Sequence, residues 1–310
     1  MKALKRLKIF ANPAACGGLT KERHDMLARL AQKLGGSLIG IGTKSAEEFM
    51  SLVDKDSQDG DLVVFAGGDG TLHDGLNVVH EKDVTVGYVP FGTGNAAAFA
   101  FSMIKPGPVG ALSPPNEESL YEILRHGETK TIDLVKVSAP CLEKPEVAIF
   151  ASVGWCAHMA GKREGPGLAG YVIPALKNVA GEYYDQNVRV SVDARRIWEE
   201  NSTFVVVSKS KYYGAGVTVV PDAKLDDGLL HTVVYKLNRV EMTALYTSSF
   251  FMGVQQRANR TARGYKVTLV SKKGAVPLQI DGDYVGQTER VNCQVIGRAI
   301  RIVTGRIEED

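Results

Sequence analysis

The residues of this chain that could do chemistry sit in short glycine- and aspartate-rich loops behind apolar runs. The clearest is Gly67-Gly68-Asp69-Gly70-Thr71, which follows Leu62–Ala66 and precedes the helical spacing of Leu72, Leu76 and Val79. Glycines let a backbone approach a ligand closely. A helix that starts there turns free N–H groups and its positive dipole end toward an anion. The carboxyl end of a parallel strand is also where α/β folds bind ligands. Thr71 adds a hydroxyl in the first turn. This is phosphate-holding chemistry, although no Gly-Lys-Ser/Thr follows, so the loop is not a Walker A motif. The same residues would equally make a plain tight turn, and the loop by itself does not choose.

A second loop, Pro90-Phe91-Gly92-Thr93-Gly94-Asn95-Ala96-Ala97, again joins an apolar run to a helical one, with Asn95 placed to cap the helix. Gly92, Gly94 and Ala97 match the dinucleotide fingerprint. The acidic residue expected about 20 positions on would be Glu117 or Glu118, which follow Pro114-Pro115 and no strand. One nucleotide site shared by two glycine loops fits better than a Rossmann pocket. A third loop, Asn12-Pro13-Ala14-Ala15-Cys16-Gly17-Gly18, ends the first apolar run and is either a connection or a further wall of that site. Downstream, Asp222, Asp226 and Asp227 suit either a Mg²⁺ site or an Asp-Gly turn. Asp281-Gly282-Asp283 is a turn, or a general base if it faces the phosphate loop. The six histidines are scattered, and none is expected to be a ligand.

Positioning these loops requires alternating strands and helices. Leu7–Ala11, Ser37–Ile41, Leu62–Ala66 and Val84–Val89 read as strands, with Thr20 and the Ser45/Glu48 pair as helix starts between them. That rhythm predicts an α/β N-terminal domain with a parallel sheet, residues 1–130. From Asp133 onward most runs read as strands: Leu134–Ser138, Val147–Val153, Val188–Val192, Phe204–Ser208, Val217–Val220, Leu230–Tyr235, Lys266–Val270 and Ala299–Val303. Helical patterns recur only near Leu168–Tyr184 and Val240–Gln256. Residues 131–310 are therefore expected to form a mostly antiparallel β domain, with the last strand or two free to return to the first.

Composition narrows the function classes. The chain has 310 residues, 44% hydrophobic and 23% charged, with a net charge of +2, so nothing calls for nucleic acid. Four dispersed cysteines without CxxC spacing point to free thiols in a reducing compartment. No apolar run approaches the roughly 18 residues of a membrane span, and the apolar stretch after Lys5 and Arg6 is too short for a signal peptide. The expectation is a cytoplasmic protein whose chain starts at or near Met1.

In this order the motifs resemble the diacylglycerol kinase catalytic-domain family, which includes bacterial lipid kinases, sphingosine kinases and ceramide kinases. The resemblance spans nearly the whole chain: Asn12-Pro13, Gly67–Thr71, Gly92-Thr93-Gly94-Asn95, Tyr212-Tyr213-Gly214-Ala215-Gly216, Pro221-Asp222-Ala223, Asp227-Gly228-Leu229-Leu230 and Asp281-Gly282-Asp283. Gly-Gly-Asp-Gly-Thr alone is shared with NAD kinases and related to phosphofructokinase loops. The resemblance implies an ATP-dependent lipid kinase of NAD-kinase-like fold that uses Mg²⁺ and touches the membrane peripherally, with a homodimer left open. It implies a nucleotide site of Asn12, Pro13, Ala14, Ala15, Cys16, Gly17, Thr43, Gly67, Gly68, Asp69, Gly70, Thr71, Leu72, His73, Gly92, Thr93, Gly94 and Asn95. It also implies a structural Mg²⁺ held by Asp227 and by the backbone oxygens of Lys224 and Leu229. Asp283 or Asp281 would be the base, and Asp69 would act at the phosphates. Phe150, Trp155, Met159, Leu168, Tyr171 and Ile173 are candidates for an acyl-chain groove, or simply core.

Three positions depart from the family pattern. Ala15-Cys16-Gly17 stands where Ser-Gly is usual, Asp283 where Glu is common, and Ala96 where diacylglycerol-type kinases carry Asp. The Asn95-Ala96 pair resembles the sphingoid-base branch more closely, with diacylglycerol and sphingoid acceptors both left open. Two further readings are an NAD kinase and a regulatory or binding member of the fold with weakened chemistry.

Overall fold

A computed structural model describes residues 6–13, 18–106, 110, 113–162, 185–238, 240–242 and 258–306. In the first part of the chain strands and helices alternate: β1 (Leu7–Ala11), α1 (Lys21–Lys33), β2 (Ser37–Ile39), α2 (Ala46–Asp56), β3 (Leu62–Gly67), α3 (Asp69–Val79), β4 (Thr85–Pro90), α4 (Ala96–Ala100) and α5 (Glu117–His126). The strands pair in parallel in the order β2-β1-β3-β4. β3 and β4 are buried at every position, as strands covered by helices on both faces must be. The caps follow the sequence: Thr20 Oγ1 accepts from Arg23 N–H and Ser45 Oγ from Glu48 N–H. α5 was not expected after the two prolines; Asn116 starts it by accepting from Ser119 N–H.

The remainder is mostly antiparallel: β5 (Glu128–Ser138), β6 (Glu146–Ala148), β7 (Phe150–Gly154), α6 (Trp155–Gly161), β8 (Gln186–Val192), β9 (Arg195–Ser202), β10 (Phe204–Ser208), β11 (Leu230–Tyr235), β12 (Arg260–Gly264), β13 (Lys266–Ser271), β14 (Val276–Ile280), β15 (Asp283–Thr288) and β16 (Arg290–Thr304). One sheet has six strands in the order β12-β11-β10-β7-β14-β15. β16 ties the rest together. It runs antiparallel to β13 and β5, then lies parallel to β4 with Arg301 opposite Thr85 and Ile302 opposite Val86. The N-terminal parallel sheet and the β5, β6, β8, β9, β13 layer are thus one ten-stranded sheet.

Two expected strands differ. Val147–Val153 is interrupted at Ile149, because Ile149 and Phe150 turn their N–H groups to the Asp281 carboxylate. Val217–Val220 is a buried loop with a single bridge, Tyr212 to Thr218, following a tight turn at Gly214–Gly216. Burial without alternation cannot tell a strand from a packed loop. The helical pattern at Leu168–Tyr184 and most of that at Val240–Gln256 lie outside the described residues, as do Leu168, Tyr171 and Ile173. Phe150, Trp155 and Met159 are buried in a core cluster with Phe204, Tyr213 and Tyr235. Among the described residues, Cys141, Cys156 and Cys293 are free thiols, and no helix is long and apolar enough to cross a membrane.

Candidate active site

The parallel strands bring their carboxyl ends to one edge, and the loops singled out in the sequence meet there. Gly67 ends β3, and a side chain on it would collide with Thr71 at 2.4 Å. Phe91 N–H donates to Gly67 O (2.8 Å), and a side chain on Gly92 would come within 2.9 Å of Gly68 Cα. The two glycine loops are therefore packed backbone to backbone. Asn12 and Pro13 leave β1 at the same edge. Thr43 follows β2 and donates its hydroxyl to Gly40 O (2.8 Å). Ala14, Ala15, Cys16 and Gly17 lie outside the described residues.

Asp69 joins the two loops more tightly still. Its Oδ2 accepts from Ala96 N–H and its Oδ1 from Ala97 N–H, both at 3.1 Å. The expected cap, Asn95, makes no side-chain cap hydrogen bond and sits in the left-handed region (φ 44°). Asp69, 26 positions earlier, supplies the acceptors for the first turn of α4 instead. Burial raises the Asp69 carboxyl to about 6, against the two N–H groups that lower it, and the nearby Asp281 and Asp283 push it further up. Asp69 thus fixes the loop that carries Thr93 and Gly94. The next residue group crosses to the β domain: Ala215 N–H donates to Gly94 O (2.6 Å).

The β14–β15 turn faces this edge from the other domain. Asp281 Oδ1 accepts from Ile149 N–H and Phe150 N–H, each at 2.9 Å, and its Oδ2 meets His73 Nδ1 at 3.0 Å. His73 Nε2 lies 3.2 Å from Glu146 Oε2. Burial would lower the imidazole pKa, but the bonds to Asp281 and Glu146 outweigh it and raise it to about 10. His73 is therefore an imidazolium that donates to both carboxylates. Asn77, one turn along α3, exchanges amide bonds with Val147 (both 2.8 Å) and holds α3 to β6. Asp281 is consumed in this buried network. Asp283 is exposed, and its Oδ2 lies 2.7 Å from where a side chain on Gly70 would begin. Between the domains is a cleft lined by Asp69, Leu72, His73, Ala96, Ala97, Ile149, Phe150, Ser210, Tyr212 and Asp281.

Sequence reasoning missed His73 as a charged pin and Glu146 as its partner. Their ties run over 208 and 73 residues, beyond any local spacing. The expected Mg²⁺ set also changes. Asp227 and Leu229 do converge, but the cation they meet is the Lys209 ammonium, 2.7 Å from Asp227 Oδ1 and 2.6 Å from Leu229 O. Lys224 is exposed. These residues, with their oxygens already bonded to an ammonium, do not fit a metal ion. Burial works to raise the Asp227 carboxyl, but hydrogen bonds from Lys209 and His231 hold it down at about 2.

Comparison with known proteins matches both halves of the chain. Residues 6–137 match the diacylglycerol kinase catalytic domain, and residues 155–304 match the YegS C-terminal NAD kinase beta sandwich-like domain. The chain is 24% identical over 286 residues to a diacylglycerol kinase of Mycobacterium tuberculosis, covering 90% of this chain and 89% of that one. It is 23% identical over 293 residues to a diacylglycerol kinase of Staphylococcus carnosus, covering 91% and 90%. A diacylglycerol kinase structure from Bacillus anthracis superposes with a TM-score of 0.67 at 16% identity over 97% of both chains. An ATP complex of an NAD kinase from Archaeoglobus fulgidus shares the fold more distantly, with a TM-score of 0.51 at 13% identity over 97% of this chain and 94% of that one. Both domain models match in order, and with these relatives they make the chain similar over nearly its whole length to diacylglycerol kinases and YegS-like lipid kinases.

Proposed function

We propose that this protein is an ATP-dependent lipid kinase that transfers the γ-phosphate of ATP to a lipid hydroxyl in the cleft between its two domains. The observation that carries this reading is the approach of Asp283 to Gly70. It sets an exposed carboxylate beside the N-terminal turn of a helix whose loop suits phosphate.

In this reading the backbone N–H groups of Gly68–Thr71 hold phosphate oxygens, and the Gly92–Asn95 loop, fixed by Asp69, closes the other side. Phosphoryl transfer needs mainly position and charge compensation. Asp283 accepts the hydroxyl proton as the lipid oxygen bonds to the γ-phosphorus and ADP leaves. Asp281 and the His73 imidazolium keep the β14–β15 turn in register with α3. Mg²⁺ accompanying ATP supplies charge neutralisation at the phosphates. Ala96, Ala97, Leu72 and Phe150 give the cleft an apolar wall, which suits a lipid acceptor better than a polar one. The same reading has the enzyme meet its substrate at the membrane surface from the cytoplasmic side.

The test is ATP consumption with diacylglycerol, sphingosine and NAD⁺ offered separately in detergent micelles. Stimulation by either lipid supports the proposal and names the branch. Stimulation by NAD⁺ alone replaces lipid with dinucleotide as acceptor. No stimulation by any of the three leaves the regulatory reading standing.

A further inference from the structure

Away from the cleft, one lysine is buried among oxygens. Lys209 follows β10, and its side chain has 0% exposure. Its Nζ lies 2.6 Å from Leu229 O, 2.7 Å from Asp227 Oδ1 and 3.0 Å from Asp133 Oδ2. Three oxygens use all the N–H groups an ammonium has. The surrounding groups are satisfied in turn. Asp227 Oδ2 is 2.7 Å from His231 Nε2. Asp133 Oδ2 also accepts from Gly228 N–H (2.7 Å), its Oδ1 accepts from Arg298 N–H (2.8 Å), and its own N–H donates to Leu225 O (2.7 Å). One cation and its carboxylates thus gather the 221–229 loop, β5 and β16 at Arg298.

Two carboxylates and a backbone carbonyl are also what a hard divalent cation takes. A charge with no exposure persists only where it is paired and bonded on all sides. Both conditions are met by Lys209, and an ammonium and a divalent ion cannot occupy one point. We propose that Lys209 is a built-in cation. It stands in place of a structural divalent ion in the β domain, so that domain folds without one, and removing its ammonium uncovers a divalent-cation site made by Asp133, Asp227 and the Leu229 carbonyl. Its backbone links the cluster to the cleft, since Lys209 N–H donates to Ile149 O (2.9 Å) and Ile149 N–H holds Asp281.

The test is thermal unfolding of the full chain, free of nucleotide, in EDTA and in millimolar MgCl₂ or CaCl₂. The wild type is expected to melt at the same temperature in all three. Lys209→Ala, which empties the position, is expected to fall by roughly 10 °C in EDTA and to recover part of the loss in Mg²⁺ or Ca²⁺. Lys209→Met, which fills it with an apolar chain, is expected to fall without recovery. A wild-type rise in MgCl₂ that vanishes in Asp227→Asn overturns the proposal, as does a Lys209→Ala protein that no ion restores. Should Lys209→Ala not fold, reductive methylation of the folded wild type decides. Lys209 protected while exposed Lys224 is modified supports the built-in cation, and equal modification of the two overturns it.

Discussion

A methyl group at Gly70 would begin 2.7 Å from Asp283 Oδ2, so the first turn of α3 and the β14–β15 turn approach as closely as the lack of a side chain allows. Gly70 lies within α3, where alanine is favoured over glycine by about 1 kcal/mol. Gly70→Ala should therefore keep or raise the melting temperature while forcing the carboxylate away from the phosphate loop. A displacement of this size should lower kcat about 100-fold. Parallel melting and kinase assays check it, and a fall in stability with activity retained would contradict the placement.

The two aspartates of one turn should separate cleanly. Asp283 is exposed, whereas Asp281 is bonded to two backbone N–H groups and the His73 imidazolium. Asp283→Asn should lose roughly 100-fold or more in kcat, the usual scale of general-base loss, with unchanged melting. Asp281→Asn should cost about 3 kcal/mol of stability by stripping a charge from a buried pair. Urea unfolding and turnover of both variants check it. If Asp281→Asn melts normally while Asp283→Asn unfolds, the roles are reversed.

His73 makes stability depend on pH in the alkaline range. Its folded pKa stands near 10, above the ordinary 6.5. Between those values the folded chain holds a proton that the unfolded chain has released, so stability falls as pH rises. The contribution is fully present below pH 6.5 and lost through about pH 10. Its size is on the order of 5 kcal/mol. His73→Gln should flatten the slope relative to wild type between pH 7 and 10 in urea titrations. Parallel slopes in the two proteins would show that the proton lies elsewhere.

The two strand–glycine loop–helix joins were readable because their signal is local: an apolar run, glycines, then helical spacing. The β domain was readable as strands but not as contacts. Lys209 is the instructive case. It continues β10, Phe204–Ser208, whose residues are all buried. A lysine at the end of such a strand has to find oxygens, yet the sequence does not say that Asp133 and Leu229 provide them. Asn95 failed for a related reason. It has the right type for a cap, but the acceptors come from Asp69, and tertiary contact overrode local preference. Ile149 broke an apolar run because a carboxylate 132 residues later claims its N–H.

Asp69 offers the last prediction. A residue acting only at phosphates could be truncated without disturbing the fold. Here truncation orphans the N–H groups of Ala96 and Ala97, each part-buried and each bonded to Asp69. Leaving a buried donor unmade costs roughly 1–3 kcal/mol, partly offset by removing a carboxylate that burial already disfavours. Asp69→Ala should therefore abolish phosphoryl transfer and also free α4. Hydrogen exchange at residues 92–98 should accelerate while β3 and β4 stay protected. Unchanged exchange there, with activity lost, would assign Asp69 to the phosphates alone and remove it as the strap between the two glycine loops.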